Sequence, residues 1–169
     1  MDEVGRGCIA GPLVAAGAIL KSQIPNPKLR DSKKLTAKQR EEIYQQLVNS
    51  EISFVVEFIS VEEINQFGIG WANREIFRRL KSKLNAEVYI ADGNLKIEGV
   101  KSIIKADSKI PEVMAASIVA KVTRDKYMSS LDNKYLWKQN KGYATKKHLE
   151  LIKIHGASEH HRTRYRPFV

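Results

Sequence analysis

Cysteine is almost missing from this chain: its 169 residues include one, Cys8, so no disulfide can form within it. That usage predicts a reducing compartment, the cytoplasm. Long apolar runs are also missing. The longest candidate, Gly11–Leu20, falls well short of the roughly 20 residues that span a bilayer. No secretory leader opens the chain, so no membrane partner is expected. Low-complexity stretches, internal repeats and linkers are lacking, which predicts a single domain over residues 1–169, long enough to bury a core without metal or disulfide staples. Negative charge is the scarcer sign, with 19 acidic against 29 basic residues and a net +10. The imbalance is concentrated: Lys121–Val169 carries 12 Lys and Arg against 4 Asp and Glu. A basic C-terminal third suits a polyanionic partner, because Lys and Arg displace counterions from a phosphate backbone. A solvated basic face is the alternative.

What is present reads as alternating strands and helices. Gly11–Leu20 has the apolar, Gly/Pro-bounded look of a buried strand. Residues 25–34 are a polar, Pro-punctuated loop. Thr36 and Gln39 form a capping box that opens a helix to about Asn49, and Ser60 and Glu63 repeat the pattern for a short helix ending near Gly68. Ile52–Ile59 is the strongest strand, β-branched and aromatic. A helix over 71–84, strands over 87–91 and 100–106, a helix from Pro111 to about 128 and a last helix over 146–154 complete the reading. The class is α/β or α+β around one sheet.

Acidic residues sit where elements end. Asp2 and Glu3 precede two glycines in Asp2-Glu3-Val4-Gly5-Arg6-Gly7. On a strand the two acids point to opposite faces, but Gly5 and Gly7 permit a bend that turns both toward one site. A frayed acidic terminus is the alternative. Asp92 is expected just past the carboxyl end of a strand, where open α/β sheets bind ligands. Asp107 is expected between a strand and the helix begun by Pro111. Asp125 lies far along that helix and four residues from Lys121, the spacing of a surface ion pair. Clustered carboxylates repel without a cation, and hard ions such as Mg²⁺ and Mn²⁺ prefer their oxygens. Two such ions can activate water and stabilise a leaving oxygen during attack on a phosphodiester.

Six ordered blocks resemble the ribonuclease HII family. They are Asp2–Gly7 followed by Gly11-Pro12; Asp31–Leu35; Asp92-Gly93; Lys105–Lys109; Ala115–Asp125; and Lys141–Thr145 with His148, then His161-Arg162 and Pro167. The resemblance runs from residue 2 to about 168. It implies an α/β, ribonuclease H-like mixed sheet flanked by helices, with a helical, basic C-terminal part over about 130–169. It implies endonucleolytic cleavage of RNA in RNA–DNA hybrids and cleavage 5′ of single ribonucleotides embedded in duplex DNA, leaving 3′-hydroxyl and 5′-phosphate ends. It assigns Asp2, Glu3, Asp92 and Asp107 as catalytic and metal-binding acids for two Mg²⁺ or Mn²⁺ ions. Gly5, Arg6 and Gly7 are implied to meet the ribonucleotide near its 2′-hydroxyl, and Tyr143 to pack on the ribose. Ser32, Lys33, Lys34, Lys141, Lys146 and Arg162 are candidate phosphate contacts. The four histidines show no zinc spacing, and His148 is read as structural. The related ribonuclease HIII type has an added N-terminal domain and another residue at the position of Arg6. A monomer is expected, without a tail for docking a sliding clamp.

One departure matters. Family members carry several residues before the acidic pair, whereas Met1 directly precedes Asp2 here. A terminal Asp tends to fray and a nearby α-amino cation competes with metal for its carboxylate, so either the start is misassigned, the chain is trimmed, or the strand is stabilised otherwise. Fraying and that competition support an alternative function, a catalytically weak or inactive nucleic-acid-binding domain. A nuclease of the same fold acting on DNA is a further alternative.

Overall fold

The computed structural model describes residues 1–20 and 35–169. Ser32, Lys33 and Lys34, three of the expected phosphate contacts, lie outside the described residues.

β1 (Asp2–Val4), β2 (Leu13–Ile19) and β3 (Ser53–Ile59) form an antiparallel sheet with β2 in the middle. β4 (Ile90–Asp92) and β5 (Lys101–Ile103) form a parallel pair. Met1 joins the two sets. Its amino group donates to the Ile90 carbonyl at 2.8 Å, and its own carbonyl accepts from the Asp92 N–H at 3.1 Å. The order across the molecule is thus β3-β2-β1-β4-β5, a mixed arrangement with β1 at its centre.

The period of two along β2 divides the core. Leu13 and Ala15 pack with Ile59 and with Ala72, Ile76, Phe77 and Leu80 of α3 (Ile69–Lys83). Ala16 faces the other way, into Ile43 and Leu47 of α1 (Ala37–Val48) and Ala115, Ala116, Val119 and Ala120 of α4 (Pro111–Ser130). Small residues on β2 let helices approach closely; at Gly17 even a methyl group would strike the Leu84 side chain. α4 is buried around most of its circumference because it lies between the sheet, α1 and the C-terminal part. That part comprises α5 (Trp137–Asn140), α6 (Lys146–His155) and the final segment, which packs its own cluster of Ile9, Ala10, Met128, Tyr135, Trp137 and Ile152.

Both expected capping boxes form, at Thr36/Gln39 and Ser60/Glu63, the second opening α2 (Val61–Phe67). Other boundaries shift. α3 begins at Ile69 rather than 71, because Gly68, at φ 82°, ends α2 and opens α3 at once. β4 starts at Ile90 and contains Asp92, instead of ending before it. β5 has three residues where a strand over 100–106 was expected. Neither strand has apolar burial along its whole length, and Val88, just before β4, is 66% exposed. A 3-10 turn at Ala106–Ser108 and the short α5 were not foreseen.

The first strand does not fray. Asp2 pairs with Ala16 and Val4 with Val14, and Met1 is itself buried, tied to β4 by its two backbone bonds. Burial of the terminal amine, against the opposing pull of Asp2, Glu112 and Asp92, lowers its pKa to about 6, so it is mostly neutral at pH 7 and is a poor competitor for the Asp2 carboxylate. Among the described residues, no helix is long and apolar enough to cross a membrane.

Candidate active site

Three segments remote in sequence bring acids to the middle of the sheet. Asp2, on β1, is 7% exposed. Its Oδ1 accepts from the Glu3 N–H at 2.9 Å, and its carboxyl is hydrogen-bonded to Ser117 of α4. Burial pushes the Asp2 pKa up to about 7, the Glu3 carboxylate beside it pushes further, and Asp92 adds to the effect against the opposing hydrogen bond from Ser117. Asp92 ends β4, and its Oδ1 accepts from the Ala106 N–H at 2.7 Å. That bond fixes the 3-10 turn carrying Asp107, which is buried. Lys105, left-handed at φ 59°, makes the bend that brings the turn there. Asp2, Asp92 and the turn of Asp107 are thus linked by charge or hydrogen bonds.

Glu3 arrives differently from expectation. β1 pairs regularly through Asp2–Val4, with no bulge, so the strand sets Glu3 opposite Ala15 and not on the side of Asp2 and Val4. Its influence on Asp2 is electrostatic and local. Among the described residues, no group of three or more Asp, Glu, His or Cys side chains stands in position to hold a metal ion. The donor chemistry nonetheless fits a hard cation: the donors are all oxygens, and a buried carboxyl is opposed by two neighbouring carboxylates whose repulsion a cation would relieve.

Beyond β1 the chain turns through Gly5, Arg6 and Gly7. Arg6 and Gly7 are exposed, while Gly5 is buried against the Arg124 side chain and held at φ 92°. A Cβ at Gly5 would collide with that guanidinium. Two fully buried arginines support this loop. Arg124 donates to the carbonyls of Pro12 (2.9 Å), Lys141 (2.7 Å) and Ala10 (3.0 Å). Arg162 donates to Gly11 (2.9 Å) and Gly5 (2.7 Å). With the Gly5 and Arg6 carbonyls engaged from beneath, the exposed Arg6 and Gly7 present an outer surface. Arg162, expected at a phosphate, is instead 0% exposed and spent on backbone; an exposed arginine near the terminus would have looked the same in sequence.

Tyr143 is 40% exposed. Burial of its phenol and the neighbouring Cys8 thiol raise its pKa, placing it beside the residue that follows Gly7. The Lys121 ammonium lies 6.0 Å from its ring centre. Lys121 also pairs with Asp125 at 2.7 Å, the ion pair expected from their spacing. Lys141 is half-buried, its Nζ donating to the Asp125 carbonyl at 3.2 Å and bonded to the Ser129 hydroxyl; the loss of water lowers its pKa. Lys146 is exposed in the first turn of α6. Ser117 and Arg124 are the contributors that sequence reasoning did not single out, although both stand in the block Ala115–Asp125. A serine and an arginine embedded in an alanine-rich, buried helix were the signal available.

Comparison with known proteins shows the family and the fold. The family model for Ribonuclease HII matches residues 1–167. The chain is 43% identical to the Ribonuclease HII of Wolbachia pipientis subsp. Culex pipiens (strain wPip), covering 99% of this chain and 89% of that protein. It is 40% identical to the Ribonuclease HII of Pelagibacter ubique (strain HTCC1062), covering 99% and 94%. Among solved structures, the RNase HII of Archaeoglobus fulgidus, determined in a complex with PCNA, superposes with a TM-score of 0.84 at 28% identity over 98% of this chain and 93% of that one. The ribonuclease H2 of Pyrococcus horikoshii OT3 gives 0.80 at 26% identity, over 99% and 92%. A Bst-RNase HIII structure in complex with Mn²⁺ shares the fold, with a TM-score of 0.78 at 20% identity. The chain belongs to the ribonuclease HII family, endonucleases that hydrolyse RNA in RNA–DNA hybrids.

Proposed function

We propose that this chain cuts the RNA strand of RNA–DNA hybrids and cuts 5′ of single ribonucleotides in duplex DNA, with Asp2, Glu3, Asp92 and Asp107 closing on two Mg²⁺ or Mn²⁺ ions. The observation that carries the reading is the buried Asp2 on a strand tied at Met1 to β4, where Asp92 in turn holds the turn of buried Asp107 through the Ala106 N–H. The Mn²⁺ bound by the HIII-type neighbour supports the choice of cation. When bound, such ions would supply an activated water and stabilise the leaving 3′-oxygen.

The chain's own residues divide the remaining work. Asp2, held by Ser117, and Asp92, held by the Ala106 amide, are oriented before substrate arrives. Glu3 and Asp107 complete the oxygen set as it tightens. The Gly5-Arg6-Gly7 surface meets the sugar edge, and Tyr143 packs a flat face on the ribose with its hydroxyl near the junction, reading the 2′-OH that separates RNA from DNA. Lys146 and the exposed Arg6 face phosphates, with Lys141 as a partly buried contributor; Ser32, Lys33 and Lys34 are proposed for the same role. Products carry 3′-hydroxyl and 5′-phosphate ends. We place the activity in a monomeric, cytoplasmic enzyme with residues 1–169 as one catalytic domain, supported by a family match spanning 1–167 and a single buried cysteine.

One gel tests this. Duplex DNA with a single ribonucleotide is incubated with Mg²⁺, with Mn²⁺ and with chelator. Cleavage 5′ of the ribonucleotide that needs the metal is the expected result. Metal-independent cleavage, or equal cutting of all-DNA duplex, would overturn it.

A further inference from the structure

Two histidines are buried in the C-terminal part, away from the acids. His148 of α6 is 0% exposed and His161 is 1% exposed. Their ring nitrogens connect in a line whose direction can be deduced. The Ser158 N–H donates to His161 Nδ1 at 2.8 Å. A nitrogen that accepts carries no proton, so a neutral His161 bears its hydrogen on Nε2. That atom lies 3.2 Å from His148 Nε2. One hydrogen serves the pair, so His148 Nε2 accepts and His148 bears its own hydrogen on Nδ1. His148 Nδ1 lies 2.8 Å from the Tyr143 carbonyl and donates to it. The polarity therefore runs from Ser158 through His161 and His148 to the peptide of Tyr143.

The surroundings suit neutral rings. Tyr135 (4.7 Å) and Trp137 (5.3 Å), before and in α5, and Phe168 (5.5 Å) pack on His161, and Trp137 (5.1 Å) packs on His148. His160 is the other titratable group acting on His161. Burial lowers both histidines' pKa values, in keeping with that assignment.

The ends of the line are informative. At its start, the segment around Ser158 pins the chain just after the glycine loop: the Gly11 N–H donates to the His160 carbonyl, and the Arg162 N–H to the Ile9 carbonyl, both at 2.8 Å. At its finish, the Tyr143 carbonyl also accepts from the Thr145 N–H at 2.8 Å, and the Tyr143 N–H donates to the Asn140 carbonyl at 2.9 Å. The Tyr143 side chain is 40% exposed, with Cys8 and Lys121 as neighbours, so where it points depends in large part on where its backbone is held. A pair of apolar side chains would fill the same volume without burying polar nitrogens.

We propose that His161 and His148 are positioning residues for Tyr143, forming a hydrogen-bond line of fixed polarity that holds its peptide in register with the Gly5-Arg6-Gly7 loop for ribonucleotide recognition. This rests on the reading of Tyr143 as a ribose contact, and the test separates the two. Cleavage of duplex DNA containing one ribonucleotide is measured as kcat and KM for wild type, H148F, H148N, Y143A and the H148F/Y143A double variant. Phenylalanine keeps the ring and removes the donor, whereas asparagine keeps a donor near the place of Nδ1. H148F should lower kcat/KM about fivefold to tenfold, the scale of one lost hydrogen bond. H148N should recover most of that, and H148F should add nothing in the Y143A background. Multiplying effects, or a wild-type rate for H148F, would overturn the positioning role. A wild-type rate for Y143A would instead overturn the ribose contact itself. Should H148F not fold, imidazole ¹⁵N shifts of the wild-type protein at pH 7 decide. His148 is expected neutral with Nδ1–H and His161 neutral with Nε2–H; the reverse tautomers, or an imidazolium, would overturn the line.

Discussion

Opposing influences meet at Asp2: burial and two neighbouring acids on one side, a serine and an amide on the other. Losing its charge should abolish function without disturbing the fold, since an amide of the same shape relieves repulsion. Asp2→Asn and Asp107→Asn should each lower cleavage by about two orders of magnitude or more while hybrid binding persists, as read by steady-state rates beside a binding titration. Ser117→Ala removes only the hydroxyl that orients Asp2, and should cost roughly tenfold in rate; an unchanged rate would show that Ser117 is merely packed there. Arg162 is of the other kind. Arg162→Met should destabilise the chain by about 3 kcal/mol in urea unfolding, because it strips the Gly5 and Gly11 carbonyls of a buried donor.

Elements show how far the sequence was readable. The capping boxes, the β-branched strand Ser53–Ile59 and the Pro111 helix announced themselves through local chemistry, and each formed within a few residues of its expected place. β1 was harder. Three residues carry too little pattern to show pairing, and its order comes from partners 14 and about 90 positions away, Ala16 and Ile90. The same limit applies to the site: placement and resemblance singled out the four acids, but nothing local distinguishes an arginine that holds carbonyls, such as Arg162, from one that meets phosphate. α6 offers a direct check on local chemistry. Its Thr145 hydroxyl accepts from the His148 N–H at 3.2 Å, so Thr145→Ala should lower stability by about 1 kcal/mol. Gly142→Ala should cost more, because at φ 83° its Cβ would strike the Ala10 carbonyl; thermal unfolding of the two variants ranks them.

At the scale of the whole molecule, the buried histidines predict an acid limit. His161 is held at about 4, below its ordinary 6.5, chiefly by burial, and His148 is lowered too. The unfolded chain therefore binds more protons than the folded one between these values, and stability must fall as protons are added. The stabilisation is whole above pH 6.5 and is lost as the pH drops toward 4, by on the order of 3 kcal/mol for His161. Urea midpoints measured across that range should decline, and a flat profile would contradict neutral burial. The concentrated basic charge of Lys121–Val169 predicts, separately, that hybrid binding weakens steeply with added salt.

The support beneath the Gly5-Arg6-Gly7 loop has a consequence for synthesis. A ribosome releases Arg162 157 positions later than Gly5. The loop beside Asp2 and Glu3 therefore emerges well before the side chain that braces it from beneath. A product halted before residue 158 lacks Arg162 and its brace, and should emerge inert toward nucleic acid it meets on the way out.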